Sequence, residues 1–401
     1  MSGGHDPFCH ANYIRECLSE GKRALGFLLG AGCPMAIKDA EGDPLIPGIG
    51  GITEEVRTHL ASQPQTGPSF EKVVNHLQTD GLANPSVETI LSYVRALRQV
   101  VGTDTVRELD ADGLESLEKG ICECIVRRVD RDLPEVDTPY HRLATWMGSV
   151  ARSDPVEVFT TNYDILAEQA LETCRVPYFD GFVGTDTPFF DTVAMEDDTL
   201  PARWARLWKL HGSINWHLSD RGWISRGLAD AKRQNYLIHP SHLKYDESRR
   251  MPYLAMMDRL RSFLRKPSSV LVICGYSFGD QHLNEVLLQS LMGNASAIVF
   301  ALLNGRLSLY ENAVRLGQSR VNLSVLALDE AVIGTRRAPW AAPHSASEDM
   351  QSELVNRVTF ATDDGQVSRR TEFVGGDFER FGEFLAGLVG VGLGGGAKGS
   401  E

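Results

Sequence analysis

The stretch ALGFLLGAGC, residues 24–33, decides how the rest of the chain is read. A short apolar run without alternation is the pattern of a strand buried on both faces. The glycine turn Gly30-Ala31-Gly32 that ends it is the usual exit from such a strand into a helix. The same grammar recurs downstream. PVEVFT at 155–160 runs into Thr161-Asn162-Tyr163-Asp164 and an apolar-periodic helix. LWKL at 207–210 runs into His211-Gly212-Ser213, and SVLVIC at 269–274 runs into GYSFGD at 275–280 and a further helix. AIVFALL at 297–303 runs into Asn304-Gly305, and VNLSVLAL at 321–328 closes the series. Strands alternating with helices predict an α/β protein with a Rossmann-like, doubly wound, mostly parallel sheet.

Between the first and second strands the period changes. ITEEVRTHLA, SFEKVVNHLQ, VETILSYVRALRQVV and LESLEKGICECIVRRV place apolar residues three and four apart, separated by turn signals at Gly67-Pro68, Asn84-Pro85-Ser86 and 110–113. Thr138-Pro139 has the N-cap and N1 signature of one more helix. Residues of about 53–150 are therefore expected to form a helical insertion in a domain spanning 1–330. The Pro/Gly loop at 42–51 lies beside the first glycine turn. After about residue 331 the reading is irregular chain, then a terminal helix within 372–389 and a disordered Gly-rich tail, together a C-terminal extension over 331–401.

The chain has 401 residues, with 40 Lys plus Arg against 53 Asp plus Glu, a formal charge of −13. That balance argues against a protein whose main task is gripping phosphate backbones, so nucleic acid is not expected as a primary ligand. The seven cysteines, at 9, 17, 33, 122, 124, 174 and 274, show no C-x-x-C spacing, and unpaired thiols suit a reducing cytoplasm. The N-terminus carries no cationic start followed by an apolar run, and no segment reaches the ~18 apolar residues of a membrane span.

Four strand ends stand out together: GAGC at 30–33, TTNYD at 160–164, KLHGS at 209–213 and GYSFGD at 275–280. In an open α/β sheet, ligands bind outside the carboxyl ends of the strands, where all four would lie. Each alone is a weak signal. As an ordered set, over roughly residues 20–330, they resemble the sirtuin-like family and more closely its bacterial branch linked to anti-phage defence. The residues that carry the resemblance are Gly30-Ala31-Gly32-Cys33, Thr161-Asn162-Tyr163-Asp164, His211-Gly212, Gly275-Tyr276-Ser277 and Asn304. It implies NAD as the ligand, Asn162 and His211 at the reacting centre, and Asp164 against the nicotinamide carboxamide. It also implies a homo-oligomer with a HerA-type ATPase partner.

The residue chemistry agrees. Gly30 and Gly32 would let backbone N–H groups approach a pyrophosphate, although GAGC is short of a full G-x-G-x-x-G. Ser277 suits a phosphate or ribose oxygen and Asn304 a ribose hydroxyl. Asn162 can fix a water and a ribose hydroxyl. Histidine exchanges a proton near neutral pH, so His211 suits the role of general base.

Departures from the family pattern narrow the reading. Deacylase members carry a zinc ribbon of two Cys pairs between the His-Gly and Gly-x-Ser strands, whereas residues 214–273 here contain no Cys. Pro34-Met35-Ala36 replaces the usual loop. Trp208, Trp216 and Trp223 are expected around His211, with Trp216 and His217 where a peptide would approach. The expectation is thus an NAD glycohydrolase that uses NAD as substrate and water as acceptor, without zinc. The alternatives are an NAD- or ADP-ribose-binding subunit of an ATPase complex, an NAD-dependent deacylase and, last, a nuclease subunit.

Other features have plainer readings. His5, Cys9, His10 and Cys17 match no zinc spacing, and Cys122 and Cys124 read as helix packing residues. His239 and His242 read as surface loop. Arg249-Arg250, Arg259, Arg261 and Arg265-Lys266 read as a solvated helix face.

Overall fold

The computed structural model describes residues 3–196, 200–218, 223–227, 236–238, 252–341, 351–361 and 367–390. His239, His242 and Arg249-Arg250, and the Gly-rich tail from residue 391, lie outside the described residues.

Nine strands form the central sheet. In chain order they are β1 (Leu25–Leu29), β2 (Glu157–Thr160), β3 (Tyr178–Phe179), β4 (Ala205–Lys209), β5 (Val270–Cys274), β6 (Ile298–Leu302), β7 (Leu323–Leu326), β8 (Glu330–Ile333) and β9 (Arg336–Pro339). Their order across the sheet is β9-β8-β7-β6-β5-β1-β2-β4-β3. β1 to β7 pair in parallel, and β8 and β9 add an antiparallel hairpin at one edge. Chain order reverses between β1 and β5, which makes that boundary the switch point of a doubly wound sheet.

The apolar run of β1 is explained by burial on both faces. Leu25, Phe27 and Leu29 join the core on one side, with helices Pro7–Ser19, Pro139–Ser149, Leu166–Thr173 and Phe378–Leu388. Leu28 joins the core on the other, with helices Tyr253–Arg265, Gln281–Gly293 and Glu311–Ser319. Pro139 stands at N1 and the Thr138 hydroxyl accepts from the His141 N–H, as the sequence signature predicts.

Between β1 and β2, helices Ile49–Ala61, Gly67–Thr79, Val87–Val100 and Ala111–Val129 pack on one another. The last helix of that stretch, Pro139–Ser149, packs instead against Phe378–Leu388 and Leu166–Thr173, within the α/β body. Among the described residues no helix is long and apolar enough to cross a membrane.

The structure corrects one expectation. The chain beyond residue 331 is not irregular. Gly334 and Thr335 both take positive φ, +55° and +70°, and close the β8–β9 hairpin. The two-residue turn was hidden because Thr335 is an unusual residue in that conformation. Strands Val355–Ala361 and Val367–Phe373 form a further hairpin. The terminal helix, Phe378–Leu388, lies within the expected range; Phe381 and Phe384 are fully buried, and Phe381 packs against Phe27 of β1. Sequence reading also passed over a second sheet, in which strands 182–183, 189–190, 224–226, 212–218 and 236–238 lie side by side and antiparallel.

Candidate active site

Register brings the four turns together. Leu29 lies opposite Cys274 on one side and Thr160 on the other, and Thr160 opposite Lys209. The segments that begin at Gly30, Thr161, Leu210 and Gly275 therefore leave the sheet side by side. They are also bonded to each other. The Asn162 side-chain Nδ2 donates to the Gly30 carbonyl at 3.1 Å. The Gly32 N–H donates to the Gly275 carbonyl at 2.8 Å, and the Ile214 N–H to the Tyr163 carbonyl at 3.0 Å.

The His-Gly pair marks a corner. β4 ends at Lys209, and the chain re-enters the second sheet at Gly212, whose φ of +88° turns it sharply. His211 sits on that corner, buried, with Nε2 3.0 Å from Oδ2 of Asp280. Asp280 is the N-cap of helix Gln281–Gly293, and its other oxygen accepts the N–H groups of His282 and Leu283 at 2.9 and 3.1 Å. Burial acts to raise its pKa, but the His211 hydrogen bond and charge and the two N–H groups outweigh it. The carboxyl is held below the ordinary aspartate range. An ionised carboxylate only accepts, so in the neutral imidazole Nε2 of His211 donates and Nδ1 is left to take a proton. Sequence reading missed Asp280. Its signal was there, as the last residue of GYSFGD directly before a helix.

Asp164 is buried, and its Oδ1 accepts from the Leu166 N–H at 3.1 Å. Burial lifts its pKa to about 6, against the pull of Lys209. Lys209 is itself fully buried; its Nζ donates to the Asp164 carbonyl and, at 3.0 Å, to Oε1 of Glu168. Tyr140 is buried close to Asn162, Asp164 and Cys33, a neighbour that sequence reading also missed.

The glycine turn is tied down through its backbone. The Gly30 N–H donates to the Cys274 carbonyl at 2.9 Å, and the Cys33 N–H to the Gly30 carbonyl at 3.0 Å. With Gly32 also bonded to Gly275, these three N–H groups are engaged inside the protein. Glycine is required because the two turns touch. A Cβ on Gly30 would lie 2.5 Å from the Gly275 carbonyl oxygen, and one on Gly275 2.5 Å from the Cys33 nitrogen. Cys33 is fully buried, and its Sγ donates to the Cys274 carbonyl at 3.3 Å; burial pushes its thiol pKa well up. It packs the turn and presents nothing outward. Ala31, Ser277 and Gly279 are the exposed residues of the two turns, and Thr161 is half-buried. Asn304 is exposed at the end of β6, one strand beyond β5, and its carbonyl accepts from the Tyr310 hydroxyl at 2.6 Å.

Of the tryptophans expected around His211, Trp208 and Trp216 are held by other residues. Trp208 is buried on β4 with Nε1 bonded at 2.7 Å to Glu157, at the far end of β2. Trp216 packs against Phe182 in the second sheet, and Trp223 is 65% exposed. His217 is buried in that same sheet. Nor is the cationic helix face simply solvated. Lys266 bonds to the buried Glu157 at 2.9 Å, and Arg259 lies over Trp208. At the N-terminus, His5 bonds through Nε2 to the Arg336 carbonyl. All seven cysteines are unpaired, and among the described residues no group of three or more His, Cys, Asp or Glu is placed to hold a metal ion.

Comparison with curated proteins finds no match. Among solved structures the chain is similar to a Sir2 homologue in complex with NAD, at 13% identity and a TM-score of 0.36, over 78% of this chain and 89% of that one. It is also similar to a mutant Sir2 homologue in complex with ADP-ribose, at 13% identity and a TM-score of 0.34, over 73% and 84%. These superpositions are too loose to transfer residue roles. The family comparison is local: residues 156–316, which run from β2 past β6 and carry Asn162, Asp164, His211, the 275–280 turn and Asn304, match the SIR2-like domain.

Proposed function

We propose that the chain hydrolyses NAD to nicotinamide and ADP-ribose at the carboxyl ends of β1, β2, β4 and β5. The observation that carries this reading is the His211–Asp280 pair, joined at 3.0 Å between the segments that follow β4 and β5, with the His211 corner bonded to the Asn162 turn. A histidine held by a buried carboxylate, with one ring nitrogen left as acceptor, is the arrangement of a general base. The SIR2-like match supports NAD as the substrate.

The bond to be broken joins the nicotinamide nitrogen to C1′ of ribose. Its pair of electrons leaves with the ring and neutralises the pyridinium, so no acid is needed. The ribose passes through an oxocarbenium-like state, as in glycoside hydrolysis. A water oxygen forms the new bond to C1′, and its proton goes to Nδ1 of His211. Asn162 is held through Nδ2 by the Gly30 carbonyl, which leaves its amide oxygen to orient the water or a ribose hydroxyl. Asp164 faces the carboxamide. Ser277, and Asn304 beyond it, are the exposed polar groups for the dinucleotide. Because the Gly30 and Gly32 N–H groups are engaged internally, they are not assigned to the pyrophosphate.

The defence role, the homo-oligomer and the HerA-type ATPase partner rest on the sequence resemblance. They imply that turnover is gated, since an ungated NADase would exhaust its host.

The test is nicotinamide release from NAD by the wild type, Asn162→Ala and His211→Ala, with and without a HerA-type ATPase. Wild-type release with matching ADP-ribose, lowered at least about 100-fold in both variants, is expected. Release that persists in both variants would overturn the site. Tight ADP-ribose binding without release under any condition favours the binding-subunit reading. Consumption of an acetyl-lysine peptide favours the deacylase.

A further inference from the structure

The turn that carries Asn162 is gripped from two sides. On one side the Tyr163 carbonyl accepts from the Ile214 N–H at 3.0 Å and the Ser213 hydroxyl at 3.3 Å, which ties it to the His211 corner. On the other, the Tyr163 hydroxyl donates to Oε1 of Glu88 at 3.0 Å, 75 positions away in sequence. Glu88 lies in the first turn of helix Val87–Val100, within the group of helices inserted between β1 and β2.

That helix end is itself fixed. The Val87 N–H donates to the Thr53 hydroxyl at 3.0 Å, and Arg57 donates to the Pro85 carbonyl at 3.1 Å. Arg95 pairs with Glu118 at 2.7 Å, and Arg128 with Glu55 at 2.9 Å. These links join helices Ile49–Ala61, Val87–Val100 and Ala111–Val129, so a displacement of the group carries Glu88 with it. A phenol bonded to a carboxylate is a strong, directional contact. Tyr163 is the covalent neighbour of Asn162, so a shift of the ring is passed directly to the amide.

We propose that Glu88 is a positioning residue for Asn162, and that through the Glu88–Tyr163 contact the inserted helices control the reacting centre. The control half rests on the hydrolase reading; the positioning half does not.

Glu88→Ala removes the acceptor, whereas Glu88→Gln keeps an amide oxygen in its place. Tyr163→Phe removes the donor. Hydrogen–deuterium exchange of the peptide spanning 160–166 reads the positioning without any turnover. Faster exchange there in Glu88→Ala and Tyr163→Phe, restored in Glu88→Gln, is expected; unchanged exchange would overturn the proposal. In nicotinamide release, kcat should fall about 10–100-fold with KM within about twofold, since small misplacement of a reacting group costs rate rather than affinity. Combining Glu88→Ala with Tyr163→Phe should cost no more than either alone. Exchange that responds while kcat does not would overturn the control half. Exchange that responds in a protein releasing no nicotinamide would instead sink the hydrolase reading and leave the positioning intact.

Discussion

Asp280→Asn separates the chemistry of the His211–Asp280 pair from its structural work. In the wild type one carboxylate oxygen caps helix Gln281–Gly293 through His282 and Leu283, and the other receives Nε2 of His211 at 3.0 Å. Asparagine caps helices about as well as aspartate, so its oxygen can keep the first task. Its NH2 group then faces Nε2 as a donor. To accept, the imidazole must move its proton to Nδ1, the nitrogen that takes the proton from water. The loss is that of a wrongly set base, about 10²–10⁴ in kcat, equal to about 3–5 kcal/mol of barrier. Stability should change by no more than about 1 kcal/mol, because both hydrogen bonds survive in altered form. Asp280→Ala should lose the cap as well, a further ~1 kcal/mol or so. The assay pairs steady-state nicotinamide release with urea unfolding of each variant. Turnover in Asp280→Asn within about threefold of wild type, alongside an inactive His211→Ala, would refute the tautomer argument. A pH series adds an independent check. The depressed pKa of Asp280 contributes stability that is fully present above the ordinary aspartate range and is lost as pH falls through the folded-state value. Any stability lead of wild type over Asp280→Asn should therefore shrink only in acid.

Three further outcomes follow from buried groups. Gly275→Ala, at φ +66° with its new Cβ 2.5 Å from the Cys33 nitrogen, should destabilise by at least ~2 kcal/mol in urea unfolding. Lys209→Met strands the buried Glu168 carboxylate and should cost about 3–5 kcal/mol; adding Glu168→Leu should recover most of it, as a thermal melt of the double variant will show. Asp164, raised to about 6 by burial, stabilises fully below the ordinary aspartate range, and that contribution is lost as pH rises through about 6. Relative to Asp164→Asn, wild-type stability should thus fall by on the order of 3 kcal/mol across that interval, measured by unfolding at stepped pH.

Strands buried on both faces announce themselves in sequence. ALGFLL, VLVIC and IVFAL need no partner to be recognised, because two covering helical layers demand apolar residues without interruption. The strand ends and the residues on them were therefore legible too, Asn162 and His211 included. Short strands with mixed burial were not. The pairs at 182–183 and 189–190 have too few residues to show a period, and the β8–β9 hairpin hides its turn behind Thr335.

The sequence by itself determined the alternation of elements, the set of strand-end motifs and the absence of a cysteine ribbon, since each is a property of local composition and spacing. Tertiary structure alone decided what those motifs do to one another. Register placed Leu29, Thr160, Lys209 and Cys274 in one row. That row pressed Gly30 and Gly32 onto Gly275 as a packing joint. It also set His211 against Asp280, 69 positions away, and Tyr163 against Glu88. Such contacts depend on the directions in which separate backbones leave the sheet, and no local pattern of residues carries that information.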